Sequence, residues 1–136
     1  CRCSEPPQLK EAIMSALKWV MTAQAIVLLV YGLPYLLVPK WATTLTQQLP
    51  LPENYVLRAV GIGFVILAYL EFQIVRDLER YRGLTLAYAL LTTLFFVTIV
   101  VQAFVRGFNG ALWFWWLNGI VTGAFAVALF ATRRRA

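Results

Sequence analysis

Four times along its 136 residues the chain enters an apolar run long enough to cross a bilayer as a helix, and this constrains its fold more than any motif. The runs cover residues 16–38, 55–75, 84–104 and 112–131, and they stop at Pro39-Lys40, Arg76-Asp77, Arg106 and Arg133-Arg134-Arg135. At about 1.5 Å per residue, each matches the roughly 30 Å hydrocarbon thickness of a membrane. Their apolar residues are continuous rather than alternating, which argues against a β-barrel. A soluble core fails on composition: 61% of residues are hydrophobic and 13% charged, against about 25% charged in an ordinary globular domain. The expected fold is all-α, a single domain forming an up-down bundle of four transmembrane helices.

The first run is too long for a signal-peptide core and lacks a small-residue cleavage pattern, so it reads as a retained helix behind an arm of residues 1–15. Four spans put that arm, the second loop and the tail on one side. This side holds nine basic residues: Arg2, Lys10, Lys18, Arg76, Arg80, Arg82 and Arg133 to Arg135. The other side holds three: Lys40, Arg58 and Arg106. The positive-inside rule then places both termini in the cytoplasm, and the expected location is a bacterial inner membrane. A lipid-anchored Cys1 would sit on the outer face and conflict with that orientation. Cys1 and Cys3 are then reduced thiols, and no disulfide framework is available. The net charge of +6 reports orientation and contact with anionic headgroups rather than nucleic acid.

Between the first two spans, Trp41, Leu45 and Leu49 recur every four residues, with Thr43, Thr44, Gln47 and Gln48 elsewhere around the turn. This predicts a short interfacial helix, ended by Leu49-Pro50-Leu51-Pro52. It reads as a connector resting on headgroups, the alternative being a lid over the outer end of the bundle. In the second loop, Asp77 with Arg80 and Arg76 with Glu79 are spaced i,i+3, which suggests a helix extending into water before Gly83; the segment reads as a solvated turn, the alternative being a docking place for a soluble partner.

Polar groups inside a span are costly, so they are the first candidates for a ligand or proton site. They are Gln24, Arg58, Glu71, Gln73, Gln102 and Asn118. Counting along alternating helices at about 1.5 Å per residue places Glu71 level with Tyr88 in the cytoplasmic leaflet, and Gln24 nearer the centre. Arg58 and Gln102 fall in the outer leaflet, with Tyr31 and Asn118 closer to the midplane. Glu71 is either a carboxyl buried among helices, able to take a proton, a cation or a cationic ligand, or a carboxylate reaching interfacial water or Arg76. Arg58 can hold an anionic headgroup or ligand carboxylate, or else snorkel outward or pair with Glu53.

Small residues let membrane helices approach closely. Gly119 and Gly123 form a G-x-x-x-G pattern in the fourth span, and Gly61 and Gly63 give the second span a comparable patch. They serve packing within the bundle or contact with a partner. Trp113, Phe114, Trp115 and Trp116 open the fourth span and read as an aromatic belt, with a stacking site for a ring as the alternative. The chain contains no histidine, nucleophile triad, phosphate loop or membrane C-x-x-C. Hydrolase, kinase and thiol-redox chemistry therefore lack their residues, no metal site is expected, and any cofactor is left unidentified.

Tyr31-Gly32-Leu33-Pro34-Tyr35-Leu36-Leu37-Val38-Pro39, followed by Leu57-Arg58-Ala59-Val60-Gly61-Ile62-Gly63, resembles small four-helix bacterial membrane proteins of the DoxX-like kind. The resemblance implies a membrane module, with some members linked to quinone-related electron transfer; the absence of histidine and of any membrane thiol speaks against a direct redox role here. The expected function is a non-catalytic subunit or scaffold that meets lipid, other membrane subunits or a second copy through the second and fourth spans. The alternatives are a carrier for a hydrophobic ligand such as a quinone, lipid or pigment, and a small proton-coupled transporter using Glu71.

Overall fold

A computed structural model gives five helices: α1 (Pro7–Leu37), α2 (Pro39–Leu45), α3 (Asn54–Arg76), α4 (Leu84–Val105) and α5 (Leu112–Arg135). The structure describes residues 7–48, 54–105, 107 and 110–135, without the side chains of residues 7, 10, 54 and 133–135. Cys1, Cys3, Leu49-Pro50-Leu51-Pro52, Glu53 and Arg106, for which the sequence raises expectations, lie outside the described residues. α1, α3, α4 and α5 are each long and apolar enough to cross a membrane. Their outer faces carry large apolar side chains such as Val30, Leu94, Phe104 and Val127, all exposed. Surface of that kind belongs in lipid. The protein is a multi-pass integral membrane protein built as a four-helix bundle.

α1 starts earlier than its apolar run. Pro7 suits a first turn, where its missing N–H costs nothing. The burial stripe Ile13, Leu17, Met21, Gln24 and Ala25, at three- and four-residue spacing, already needs helix ahead of residue 16. Much of the expected arm is therefore the first part of a 31-residue helix. At about 46 Å it is longer than the hydrocarbon layer and projects beyond it.

The closest approach in the bundle is between α1 and α3. A Cβ added at Gly61 would lie 2.6 Å from the Leu36 backbone nitrogen and 2.8 Å from the Gly32 carbonyl oxygen; one at Gly32 would lie 2.9 Å from Phe64 Cβ. Only the absence of side chains lets these backbones touch. The other expected glycine contacts divide. Gly123 abuts the Phe96 ring at 3.1 Å, Gly119 sits at an ordinary 3.7 Å from Ile99, and Gly63 has nothing within 4 Å.

α1 packs against α3 and α5, and α5 against α4. The fourth side of the ring, between α3 and α4, is bridged by side chains. Tyr88 Oη donates to the Leu67 carbonyl at 2.8 Å, and the Phe64 and Phe95 rings meet at 6.2 Å. At the end holding the α3–α4 turn, Leu17, Met21, Ile74, Leu78, Tyr88, Ala89 and Leu129 form the main core.

The second loop departs from the helix its charge spacing suggests. α3 stops at Arg76, and residues 77–83 form turns. Asp77 Oδ1 accepts from the Arg80 backbone N–H at 3.3 Å, and the Arg80 guanidinium lies over the Tyr81 ring at 5.4 Å. Leu78, 2% exposed, is drawn into the core; burying it bends the chain inward where a straight helix would carry it into water.

α2 covers the opposite end. Ala42, Thr43 and Thr46 face the bundle, while Trp41 and Leu45 face outward. The threonine hydroxyls donate to carbonyls of their own helix, which lets them be buried: Thr43 to Pro39 at 3.1 Å and Thr46 to Ala42 at 2.9 Å. α2 is thus lid and connector at once: its small face caps the bundle and its large apolar residues point away. Gln47 terminates it in the left-handed region (φ 52°), with the Gln48 N–H returning to the Thr43 carbonyl at 3.0 Å. The Ala111 N–H donates to the Thr46 carbonyl at 2.9 Å, tying the lid to the start of α5.

The glycine geometry predicts that Gly61→Ala destabilises the bundle by about 1–3 kcal/mol, the usual range for overpacking. Gly63→Ala should stay within about 0.5 kcal/mol of wild type, as at other uncrowded surface sites. Thermal unfolding of the two variants in one mild detergent checks this.

Candidate functional site

Loose closure of the α3–α4 seam leaves a cavity of about 380 Å³ in the half of the bundle nearer α2. Each of the four spanning helices contributes to it. α1 supplies Gln24, Leu28, Tyr31 and Tyr35; α3 supplies Leu57, Val60, Phe64 and Leu67; α4 supplies Leu91, Thr92, Phe95 and Thr98; α5 supplies Phe114, Trp115, Asn118 and Phe125. Gln48, just past α2, completes the lid end, where its Oε1 accepts from Tyr35 Oη at 3.4 Å. Among the described residues, no charged side chain lines the wall. Val60 and Phe95 border the cavity and are also more than 40% exposed on the outer surface. The mouth therefore opens sideways between α3 and α4, toward lipid.

The polar wall groups are mostly held by the protein itself. Asn118 Nδ2 donates to the Phe114 carbonyl at 2.7 Å, Thr98 to Leu94 at 2.8 Å and Thr122 to Asn118 at 2.7 Å. At the floor, Gln24 Nε2 donates to Thr92 Oγ1 at 2.7 Å, and Thr92 donates to the Tyr88 carbonyl at 2.8 Å. Gln24 Oε1 is buried without a partner.

Glu71 lies below that floor, fully buried, and neither carboxyl oxygen has a hydrogen-bond partner among the described residues. It does not reach water and does not pair with Arg76. Tyr88 bonds the carbonyl of Leu67, one helical turn before Glu71, so the two side chains share a level, as the depth count anticipated. A buried charge with no partner is strongly unfavourable, and among the described residues no hydrogen-bond donor meets this carboxyl.

The candidates thus fall into three groups. Gln24 and Asn118 line the cavity, and Glu71 and Tyr88 form the layer beneath it. Arg58 and Gln102 lie apart from it: Arg58 is exposed, and Gln102 Nε2 donates to the Gly107 carbonyl at 3.3 Å beyond the end of α4. Gln73 is half-buried and also outside the wall. The aromatic run on α5 splits by face. Trp113 and Trp116 are exposed like a belt, whereas Phe114 and Trp115 turn inward, and Phe114 meets Tyr31 at 6.1 Å. Thr92 is not among the sequence candidates, and Gln48 reads there only as part of the polar side of the interfacial helix. A threonine in an apolar run passes as apolar because its hydroxyl bonds its own helix, and Gln48 acquires its place only from the turn at Gln47.

No protein-family model, curated protein or solved structure matches the chain significantly.

Two outcomes follow. Glu71→Gln keeps the shape of the side chain without its charge, so this variant should melt at or above the wild-type temperature; a fall of several degrees would reveal a cationic partner. Tyr88→Phe removes the α4–α3 hydrogen bond and should cost roughly 0.5–1.5 kcal/mol, read from the same thermal unfolding.

Proposed function

We propose that the protein is a non-catalytic membrane module that binds a neutral hydrophobic molecule within its bundle. The observation that carries this reading is the cavity: apolar and aromatic walls, a few fixed polar groups, no charge, and a mouth facing lipid. Its volume of about 380 Å³ falls within the range of small-molecule sites, roughly 300–1,000 Å³. A ligand dissolved in the membrane could enter between α3 and α4 without crossing water. The DoxX-like resemblance is in keeping with this, since Tyr31, Tyr35, Leu57 and Val60 of the resembling segments all belong to the cavity wall. In the proposed orientation both termini are cytoplasmic and the cavity lies in the outer leaflet of a bacterial inner membrane, on the strength of the basic-residue count.

Glu71 favours a second reading, a small transporter that couples movement to a proton at this carboxyl. Substrate flux in liposomes that is equal for wild type and Glu71→Gln would sink it. A role as subunit or scaffold draws less from the glycines than the sequence suggests, since Gly61 and Gly123 are used inside the bundle; what supports it is the open surface at Gly63.

Protein purified in mild detergent should carry a stoichiometric apolar molecule, detectable by organic extraction and mass spectrometry. Filling the cavity with Val27→Trp and Val121→Trp should abolish that cargo while the protein still unfolds cooperatively. Cargo equal in both proteins would place it outside the cavity, and an empty wild type would count against the reading.

A further inference from the structure

The hydrogen bonding at the cavity floor fixes which way the Gln24 amide points. The Thr92 hydroxyl has one proton, and it goes to the Tyr88 carbonyl at 2.8 Å. Thr92 Oγ1 can therefore only accept from Gln24, which must present its NH2 side, at 2.7 Å. The carbonyl side of the amide is left over. Gln24 is 7% exposed and belongs to the cavity wall. Its Oε1 is the one buried side-chain polar atom of that wall without a partner among the described residues; it lies just beneath the cavity surface, where a small shift of the side chain brings it to a ligand donor. Burying an acceptor unpaired is unfavourable, and a ligand that supplies a donor there removes the penalty.

We infer that Gln24 Oε1 selects the cavity's ligand, favouring a neutral apolar molecule with a hydroxyl at its inner end over one that carries only acceptors. This deepens the proposed binding function and rests on it. Thr98 and Thr122 already donate their hydroxyl protons within α4 and α5, and Asn118 donates one amide proton within α5. Gln24 Oε1 is therefore the wall acceptor that gains most from a ligand donor. The uncharged wall disfavours ionised headgroups at the same point. A ketone or ether of equal size would set an acceptor against an acceptor, leaving both unpaired.

The test is a competition. Wild-type protein in lipid nanodiscs is offered equal amounts of 4-octylphenol and its methyl ether, and native mass spectrometry separates the two bound forms by mass. The phenol should be bound about tenfold in preference, as for one buried acceptor paired or unpaired. In Gln24→Met, similar in length but without the carbonyl, both probes should still bind and the ratio should fall to within about twofold. Equal binding to wild type, or a preference that survives in Gln24→Met, overturns the inference while leaving the cavity as a ligand site. Binding of neither probe to wild type overturns both.

Discussion

The touching backbones of Gly32 and Gly61 set the shape of this bundle. They fix the α1–α3 crossing near the α2 end, where the neighbouring wall positions are Tyr31, Tyr35, Leu57 and Phe64. α5 then closes on α1 and α4, but α4 meets α3 through the Tyr88 hydrogen bond and the Phe64–Phe95 rings. One side is as tight as helices can pack, and the adjoining α3–α4 side is propped open by rings. The cavity follows from that asymmetry. Van der Waals packing is the main attraction between helices in lipid, where no hydrophobic drive acts between them, so a seam of bulky side chains has little to pull it shut.

Along the bundle axis the interior changes character. The end with the α3–α4 turn is filled by Leu17, Met21, Leu78 and Leu129, with Glu71 enclosed among them. The other end is hollow under a lid of small α2 residues. The Gln24–Thr92 hydrogen bond marks the boundary. A molecule in the hollow half would rest on a polar floor joined through Thr92 to the backbone of α4 at Tyr88, whose hydroxyl bonds α3 beside Glu71. Three helices thus share one chain of polar contacts just beneath the proposed ligand.

Much of the fold was legible in the sequence because the bilayer imposes it. Apolar runs of fixed length bounded by charges leave few solutions, and the spans at 55–75, 84–104 and 112–131 agree closely with α3, α4 and α5. The site was legible in part. Depth counting put Glu71 and Tyr88 at one level, since rise per residue is nearly constant. It could not tell which way each side chain turns, and so it grouped the exposed Arg58 with the cavity-lining Asn118. The second loop misled because charge spacing favours a helix as readily as a turn, and the burial of Leu78 decided for the turn. Gly32 was not read as a packing residue because a lone glycine gains meaning only from the partner it meets on another helix.

The central claim, that the space between the helices is a binding site entered from lipid, is tested most directly by tryptophan quenching. One variant would retain Trp115, in the cavity wall, as its sole tryptophan, and a second would retain Trp116, which is exposed on the outer face. Each is titrated in nanodiscs with 10-bromodecan-1-ol, a neutral quencher. Saturable quenching of Trp115 at low probe content, with Trp116 quenched only in proportion to probe in the bilayer, is the predicted result. Proportional, non-saturating quenching of both would show that the probe samples lipid alone, and would contradict a binding cavity.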